Sequence, residues 1–311
     1  MNFCHKPIML QECIEALQIK SNGIYVDCTA GGGGHSQHIL EKLGKDGTLI
    51  DIDKDLDAIH TVTAKFKDFP NVKIVHSDFK QFQSVLNQLN VEKVDGVLID
   101  LGVSSYQLDT AERGFSYMAS DAPLDMRMNR QQELTAFDVV NGYSKEDLIY
   151  VLREYGEEKF ASIIASNIIK ARETEPISTC GQLVSIIDRS IPFKAQKQGS
   201  HNAKKTFQAL RIEVNGELSG LKEVLQTIIS HLNPNGRLVV LTFHSLEDRI
   251  VKHLFNFNAT DCICDKSVPI CVCGHKAEIK LINKKPITAT EEEQKENSRS
   301  ICAKLRIVEK L

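Results

Sequence analysis

Short apolar runs alternate with longer amphipathic stretches through the first hundred residues. The apolar runs are rich in β-branched residues and predict four strands, at 23–29, 47–53, 71–78 and 94–102. The stretches between them repeat apolar residues at helical spacing and predict helices at 36–43, 55–66 and 79–89. Strands and helices that alternate at this spacing form βαβ units, so we expect an α/β fold with a doubly wound, mostly parallel sheet.

The alternation stops after the fourth predicted strand. Residues 104–216 carry no clear strand pattern, and their apolar spacing is helical, with predicted N-caps at Thr135 and Ser144. A further helix is predicted at 179–191, ended by Pro192. We therefore expect a mostly helical insertion at 104–216 and a discontinuous α/β domain made of residues 1–103 and 217–311.

The pattern of strands resumes in the last third of the chain. A helix at 207–232, interrupted near Asn215 and Gly216, is followed by Asn-Pro-Asn-Gly at 233–236, which predicts a turn. A fifth strand is predicted at 236–245. Two more are expected at 278–287 and 301–310, and the charged run near residue 291 is interpreted as the start of a solvated helix.

The loop after the first predicted strand contains four consecutive glycines, Gly31 to Gly34. Glycine lets the backbone take positive φ and approach a ligand closely, and a loop of this kind before a helix is the usual cofactor site of open α/β sheets. By itself such a loop can equally be a flexible turn.

Acidic residues strengthen the interpretation of this edge as a binding site. Aspartates stand at the ends of all four predicted strands, at Asp27, Asp53, Asp78 and Asp100. Any one of them is better explained as a solvated residue or a helix cap. Four together at the ligand edge of a sheet indicate a site for a cation or for hydroxyl groups.

The glycine spacing argues against a dinucleotide. The G-x-G-x-x-G fingerprint requires a third glycine where this chain has Ser36 or Gln37. A donor without phosphates suits an acidic edge better, and S-adenosylmethionine (SAM) is a cation with ribose hydroxyls and an ammonium group. The residues thus predict a SAM-dependent methyltransferase, with a nicotinamide oxidoreductase as a weaker alternative and a non-catalytic RNA-binding or assembly factor as another.

Composition narrows the partners only slightly. The net charge of −3 gives no overall attraction to nucleic acid, so any RNA contact must come from a local patch. The N-terminus does not resemble a signal peptide, and no apolar run has the length of a membrane span, so we expect a cytoplasmic protein without a membrane partner. Cys4, Cys13, Cys28, Cys180 and Cys302 are interpreted as buried or half-buried reduced thiols.

Longer motifs resemble one family. The chain is similar to the RsmH (MraW) family of ribosomal small-subunit RNA cytosine-N4 methyltransferases in segments that run in family order: DCTAGGGGHS at Asp27, DLGVSSYQLD at Asp100, RGFSY at Arg113, PLDMRMN at Pro123, YGEEKFA at Tyr155, TFQALRIEVNGEL at Thr206, LTFHSLEDRIVK at Leu241 and AKLRIVEK at Ala303.

The resemblance implies a fold, a donor site and a substrate. The fold would be a class I SAM-dependent methyltransferase with a Rossmann-like sheet and a helical insertion after strand four. The substrate would be 16S rRNA, within the small ribosomal subunit, methylated on the exocyclic N4 of cytosine 1402 in the decoding region. The family's donor-binding positions fall here on Gly33, Gly34, His35, Asp53, Phe79, Asp100 and Gln107.

Candidates for the chemistry and for the acceptor are fewer. The N4 amine is a weak nucleophile, so an acceptor for its hydrogens would help, and Asp100 is the candidate catalytic residue, although a role only in donor binding fits it equally. Backbone carbonyls near 101–105 are an alternative acceptor. His244 and Glu247 are candidates for the acceptor pocket, or else part of a hydrogen-bonded turn with Ser245 as the helix cap.

Two further clusters invite an interpretation. The run Lys194 to Arg211 has five basic residues and no acid, which predicts phosphate contacts through Lys204, Lys205 and Arg211, or merely a basic loop. The pattern Cys-x-Cys…Cys-x-Cys indicates either a thiolate zinc site or a mobile hairpin with reduced thiols, and it consists of Cys262, Cys264, Cys271 and Cys273.

Overall fold

The protein was analysed as a computed structural model, which describes residues 7–195, 201–265 and 270–311. The chain divides into two compact units, one formed by Met1–Gly102 with Ser219–Leu311 and the other by Val103–Leu218. The unit borders lie within two residues of the limits expected for the insertion, at 104 and 216.

The first unit is built on a seven-stranded sheet of order β3-β2-β1-β4-β5-β7-β6. Strands β1 to β5 pair in parallel, and β7 is antiparallel to both β5 and β6. The strand order reverses between β1 and β4, the switch point at which open α/β sheets bind their ligands. The strands are β1 Ile24–Asp27, β2 Thr48–Asp53, β3 Val72–His76, β4 Val94–Asp100, β5 Leu232–Thr242, β6 Ile279–Leu281 and β7 Lys304–Lys310.

Helices cover both faces of this sheet, which explains why its central strands are apolar throughout rather than alternating. Leu98 and Ile99 are neighbours in β4, point to opposite faces, and are both fully buried, each in a different apolar cluster. The helices of this unit are α1 Leu10–Leu17, α2 Gly34–Lys42, α3 Leu56–Lys65, α4 Phe82–Gln88, α11 Leu221–His231, α12 Ser245–Asn258 and α13 Glu291–Glu296.

The second unit is helical in its regular structure and has its own buried apolar cluster. Thr135 and Ser144 are confirmed as N-caps, since each side chain accepts a hydrogen bond from a backbone N–H in the first helical turn. Its helices are α5 Ser105–Asp109, α6 Ala136–Gly142, α7 Lys145–Glu154, α8 Ala161–Arg172, α9 Cys180–Ser190 and α10 Lys204–Asn215.

The helix predicted at 207–232 is two helices. Helix α10 ends at Asn215, and Gly216 follows in the left-handed region with φ 57°. Gly220 is also left-handed, with φ 70°, and caps the start of α11. The interruption expected near 215 therefore separates two elements that belong to different units.

Residues Asn233–Gly236 are not a separate turn, as the sequence predicted, but part of β5. Between two paired positions β4 advances from Val94 to Gly96, while β5 advances from Leu232 to Arg237, so β5 carries three extra residues as a bulge. Asn235 takes a left-handed φ of 64° inside it. The turn-forming residues thus serve a bulge within a strand.

The strand predicted at 278–287 is shorter than expected. Strand β6 stops at Leu281, and the Asn283 side chain then takes backbone partners on β7, donating to the Leu305 carbonyl at 2.9 Å and accepting from Ile307 N–H at 2.8 Å. Pairing with β7 then resumes at the isolated bridge of Ile287 with Leu305, whose carbonyl accepts from both Asn283 and Ile287.

The isolated cysteines differ in their environment. Cys13, Cys28 and Cys180 are buried, as predicted, whereas Cys302 is exposed, so the expectation of burial was wrong there. Cys302 lies in a short 3₁₀ segment before β7 and not in the strand itself. Cys4 lies outside the described residues.

Among the helices described, none has both the length and the apolar character needed to cross a bilayer.

Candidate functional site: an acidic sheet edge behind a glycine loop

The glycine loop joins β1 to α2 and needs glycine at specific positions. Gly31 and Gly33 have left-handed φ values of 52° and 68°, which side chains rarely tolerate. A Cβ on Gly34 would lie 2.3 Å from Cγ of Pro7, so the N-terminus of α2 can pack this closely against Pro7 only because residue 34 has no side chain. The loop is a packed structure and not a flexible linker.

Asp53, at the end of β2, holds this loop in place. Its two carboxylate oxygens accept hydrogen bonds from the N–H groups of Gly31 and Asp55, both at 2.8 Å. Burial nevertheless raises the pKa of Asp53 to about 6, because these bonds offset desolvation only in part. The remaining lone pairs of the carboxylate can accept hydroxyl hydrogens.

Asp27, at the end of β1, is tied to the same loop. It accepts hydrogen bonds from the Ser36 hydroxyl at 2.8 Å and from Thr29 N–H at 3.1 Å. The side chain is almost fully buried, and burial raises the pKa of its carboxyl group.

Asp51 is an acid that the sequence analysis overlooked. It lies inside β2, in register with Asp27, and neither carboxyl oxygen has a hydrogen-bond partner among the described residues. Burial, and then the charge of Asp27, raise the pKa of Asp51 well above its usual range. The signal in the sequence that points to it is an acid in the middle of an otherwise apolar strand.

Asp100 ends β4 on the other side of β1. Its backbone N–H donates to the Thr29 hydroxyl at 2.8 Å, which ties the end of β4 to the loop. Its Oδ1 is buried without a hydrogen-bond partner in the described chain. Desolvation raises the pKa of Asp100 to about 8, and the charges of Asp27 and Glu247 add to the shift.

His35 lies beside Asp100 in the first turn of α2. Its Nε2 is 3.2 Å from the Ile8 carbonyl, to which it can only donate, while Nδ1 is 3.9 Å from Oδ2 of Asp100. Burial lowers the pKa of His35 to about 4, so the ring is neutral and presents the Nδ1 lone pair toward Asp100. A neutral histidine cannot neutralise the acids around it.

Asp78 and Phe79 follow β3. Asp78 caps a short 3₁₀ turn by accepting from Lys80 N–H at 2.9 Å, and Lys54 Nζ lies 3.9 Å from its other oxygen. Asp78 is therefore a capping residue with a nearby cation, unlike Asp100. Phe79 is half-buried and packs against the apolar cluster below the sheet edge.

The edge as a whole has more acidic than basic groups. The three carboxyl groups at the ends of β1, β2 and β4 have raised pKa values because they are buried, and no Lys or Arg among the described residues forms an ion pair with them. A cation placed there would relieve both the desolvation and the mutual repulsion of these groups. The arrangement can thus bind a cationic ligand with hydroxyl groups.

His244 and Glu247 form the turn between β5 and α12. His244, and not Ser245 as the sequence suggested, is the N-cap, and it forms a capping box with Glu247. One Glu247 oxygen accepts from Phe243 N–H at 2.9 Å, and the other lies 3.0 Å from Nε2 of His244. Glu247 is buried, and its charge reaches Asp100 strongly enough to raise that pKa.

Four of the predicted residues belong to the second unit. Gln107 is buried and completes a capping box with Ser104, whose N–H donates to Oε1 of Gln107 at 3.0 Å. Lys204 and Lys205 are exposed, and Lys205 donates to the Glu157 carbonyl at 2.6 Å. Arg211 forms a two-point ion pair with Glu217, with both N···O distances 2.8 Å. Residues 196–200 of the basic run lie outside the described residues.

The sequence of the PLDMRMN segment allows two interpretations of Arg127, as part of a loop closed over the donor or as a structural ion pair with Asp125 or another acid. The structure shows the ion pair with Asp125, through contacts of 3.0 and 2.7 Å. The four cysteines of the two Cys-x-Cys pairs meet in space, with their sulfur atoms all within 4.8 Å of one another.

The sheet, with five parallel strands and an antiparallel β7, has the strand order of the class I SAM-dependent methyltransferase fold. The chain belongs to the MraW methylase family, whose profile matches residues 2–311. A relative from Clostridium botulinum (strain Kyoto / Type A2), named ribosomal RNA small subunit methyltransferase H, is 53% identical over 311 residues and the full length of both chains. One from Caldicellulosiruptor saccharolyticus with the same name is 53% identical over 307 residues, 99% of each chain.

Solved structures show weaker likeness. The crystal structure of an rRNA methylase from Streptococcus thermophilus covers 100% of this chain and 99% of its own, with a TM-score of 0.41 and 10% identity. The structure of NSun6 from Pyrococcus horikoshii with SFG matches 98% of this chain and 52% of that protein, with a TM-score of 0.42 and 14% identity.

Proposed function

We propose that the protein transfers a methyl group from SAM to the exocyclic N4 of a cytosine in 16S rRNA, at the position corresponding to cytosine 1402. Membership of the MraW methylase family and the name of its full-length relatives support rRNA of the small subunit as the substrate. The observation that carries the donor assignment is the glycine loop closed over buried, unneutralised carboxyl groups at one sheet edge.

In this proposal each donor group meets a defined feature of the edge. The ribose hydroxyls lie against Asp53, whose carboxylate has free lone pairs, and the adenine lies against the half-buried ring of Phe79. Gly33 and Gly34 allow the donor to approach the backbone, and the family resemblance assigns Gln107 to donor binding as well. The positive charge of SAM is placed near Asp100, where it lowers the raised pKa of that acid.

Two roles for Asp100 are compatible with its surroundings. As a carboxylate it can accept a hydrogen of the cytosine amine, which localises the nitrogen lone pair for attack on the methyl group and takes up the charge that develops on nitrogen. Alternatively it contributes only to donor binding. The 104–216 insertion, with exposed Lys204 and Lys205, is proposed to contact the RNA.

The activity is tested with small ribosomal subunits from a strain that lacks the modification. Incubation with labelled SAM should place one methyl group on the decoding-region fragment, and mass spectrometry of the nucleoside should identify N4-methylcytidine. Asp100→Asn should abolish or strongly reduce transfer. If it retains SAM binding but loses transfer, the catalytic role holds, and loss of both supports the binding role. Methylation of another base or none would refute the proposal.

A further inference from the structure

The four cysteines of the first unit that follow α12 lie outside the donor edge and have no part in the proposed reaction. They stand in two Cys-x-Cys turns on either side of residues 266–269. Their sulfur atoms approach within one group, at 3.5 Å for Cys271 with Cys273, 3.8 Å for Cys262 with Cys273 and 4.0 Å for Cys264 with Cys271.

These spacings match a metal site. A tetrahedral zinc ion with Zn–S distances of about 2.3 Å places its ligands about 3.8 Å apart. The three observed separations bracket that value. A disulfide would require about 2.05 Å and would join the sulfurs in pairs, whereas here each turn contributes sulfurs that contact the opposite turn.

The backbone also favours thiolates at this place. Ile263, the middle residue of the first turn, directs its N–H toward the sulfur of Cys273 at 3.5 Å. Val272, the middle residue of the second turn, directs its N–H toward Cys264 at 3.4 Å. The two turns thus hold each other reciprocally, and each donates a hydrogen bond to a sulfur that would carry negative charge.

The described residues between α12 and β6, called the lobe, have no buried core of their own. Within the described residues 260–265 and 270–278, no side chain is buried, and Ile270 and Val272 are exposed by more than three quarters. The lobe is attached to the rest of the unit at its ends, where Glu278 N–H donates to the Asn258 carbonyl at 2.8 Å. A segment without a core keeps a compact cluster of thiols only if something binds them.

His275 does not belong to the group of side chains whose ligand atoms all lie within 4.8 Å of one another, and four thiolates already complete a tetrahedron. Its Nε2 lies 3.0 Å from the Phe257 carbonyl, and its ring packs on the Phe257 ring at a centroid distance of 4.6 Å. We propose that Cys262, Cys264, Cys271 and Cys273 form a structural Cys₄ zinc site that fixes the lobe between α12 and β6. The binding step replaces the four thiol protons with one zinc ion and involves no redox change.

The proposal is tested on the full-length protein without a histidine tag, purified under reducing conditions and dialysed with excess zinc followed by zinc-free buffer. Elemental analysis should find one zinc ion per chain. Cys264→Ser combined with Cys271→Ser should lose it, whereas Cys302→Ser, which removes an exposed cysteine elsewhere, should retain it. Replacement of zinc by cobalt should give the sulfur-to-metal absorption and the visible bands of a tetrahedral four-thiolate site.

A second measurement separates metal loss from general unfolding. Chelation of the wild-type metal should accelerate proteolytic cleavage within residues 260–277 and leave the remainder of the chain resistant. Absence of zinc from the reconstituted reduced wild type would overturn the proposal. So would equal zinc in the double variant, an intact mass four hydrogens low that reveals two disulfides, or iron in place of zinc.

Discussion

The raised pKa of Asp100 has a consequence for donor binding that can be measured directly. With a pKa of about 8 in the free protein, the acid is mostly protonated at neutral pH. The proposed SAM site places a cation near this carboxyl group and so favours its ionised form. Binding must then expel a proton, and the affinity for SAM should rise with pH until Asp100 is ionised without the ligand.

The magnitude follows from the fraction of ionised Asp100. That fraction is about one in eleven at pH 7 and about one in a hundred at pH 6, so the affinity should fall about 90-fold between pH 9 and pH 6 if the bound acid stays ionised. The sign is fixed, because an acid whose pKa is raised in the free state and lowered by the ligand weakens binding as pH falls.

Titration calorimetry of SAM binding from pH 6 to pH 9 measures this effect, and repetition in buffers of different ionisation enthalpy counts the expelled proton. Asp100→Asn is the matched control, since the amide imitates the protonated acid and leaves the titration of the ligand and of the other acids at this edge, Asp53 among them. The wild type should approach the variant at pH 6 and exceed it most at pH 9. Identical pH profiles for the two proteins would refute the reasoning.

Two further predictions concern packing and a buried ion pair. Gly34→Ala should cost about 1–3 kcal/mol of stability and weaken SAM binding, because the new Cβ would lie 2.3 Å from Pro7. The control Gly142→Ala, whose Cβ would have nothing within 4 Å, should be neutral or stabilising. Thermal unfolding of both variants measures the difference, and equal melting temperatures would contradict the prediction. Arg306→Met should cost about 1–3 kcal/mol in urea unfolding at pH 7, because it removes the buried partner of Asp248 at 2.6 Å and leaves Lys304 Nζ, 3.3 Å from the other carboxylate oxygen, to pair with the acid. The loss should shrink as the pH falls through the lowered pKa of Asp248, and a loss independent of pH would exclude the ion pair as its cause.

The alternation of apolar runs and amphipathic stretches determined the class of fold. Buried parallel strands must be apolar on both faces, and crossover helices must be amphipathic, so both kinds of element are visible as patterns in the chain. The same logic located Asp53 and Asp100, because the carboxyl ends of parallel strands share one edge. Local capping chemistry located Thr135 and Ser144, since a cap depends on residues only three positions apart.

Where the sequence analysis was wrong, distant residues decided the outcome. Asparagine, proline and glycine at 233–236 are typical of a turn, yet β4 and the continuation of β5 hold them within a strand as a bulge. The pairing of Asn283 with β7 shortened β6 in the same way. Neither contact has a local signature, because the partners are separated by 20 residues or more.

The sequence alone located the acids at the strand ends, Asp27, Asp53 and Asp100, since strand ends are local properties, but it did not single out Asp51 inside β2. Only the tertiary structure decided how those residues are charged. The neutral state of His35, the raised pKa of Asp100 and the unpartnered Asp51 all arise from burial among groups that the fold brings together. The tertiary structure likewise decided that the four thiols of the two Cys-x-Cys pairs lie close together. Desolvation and distance both depend on how the chain packs and not on the spacing of residues along it.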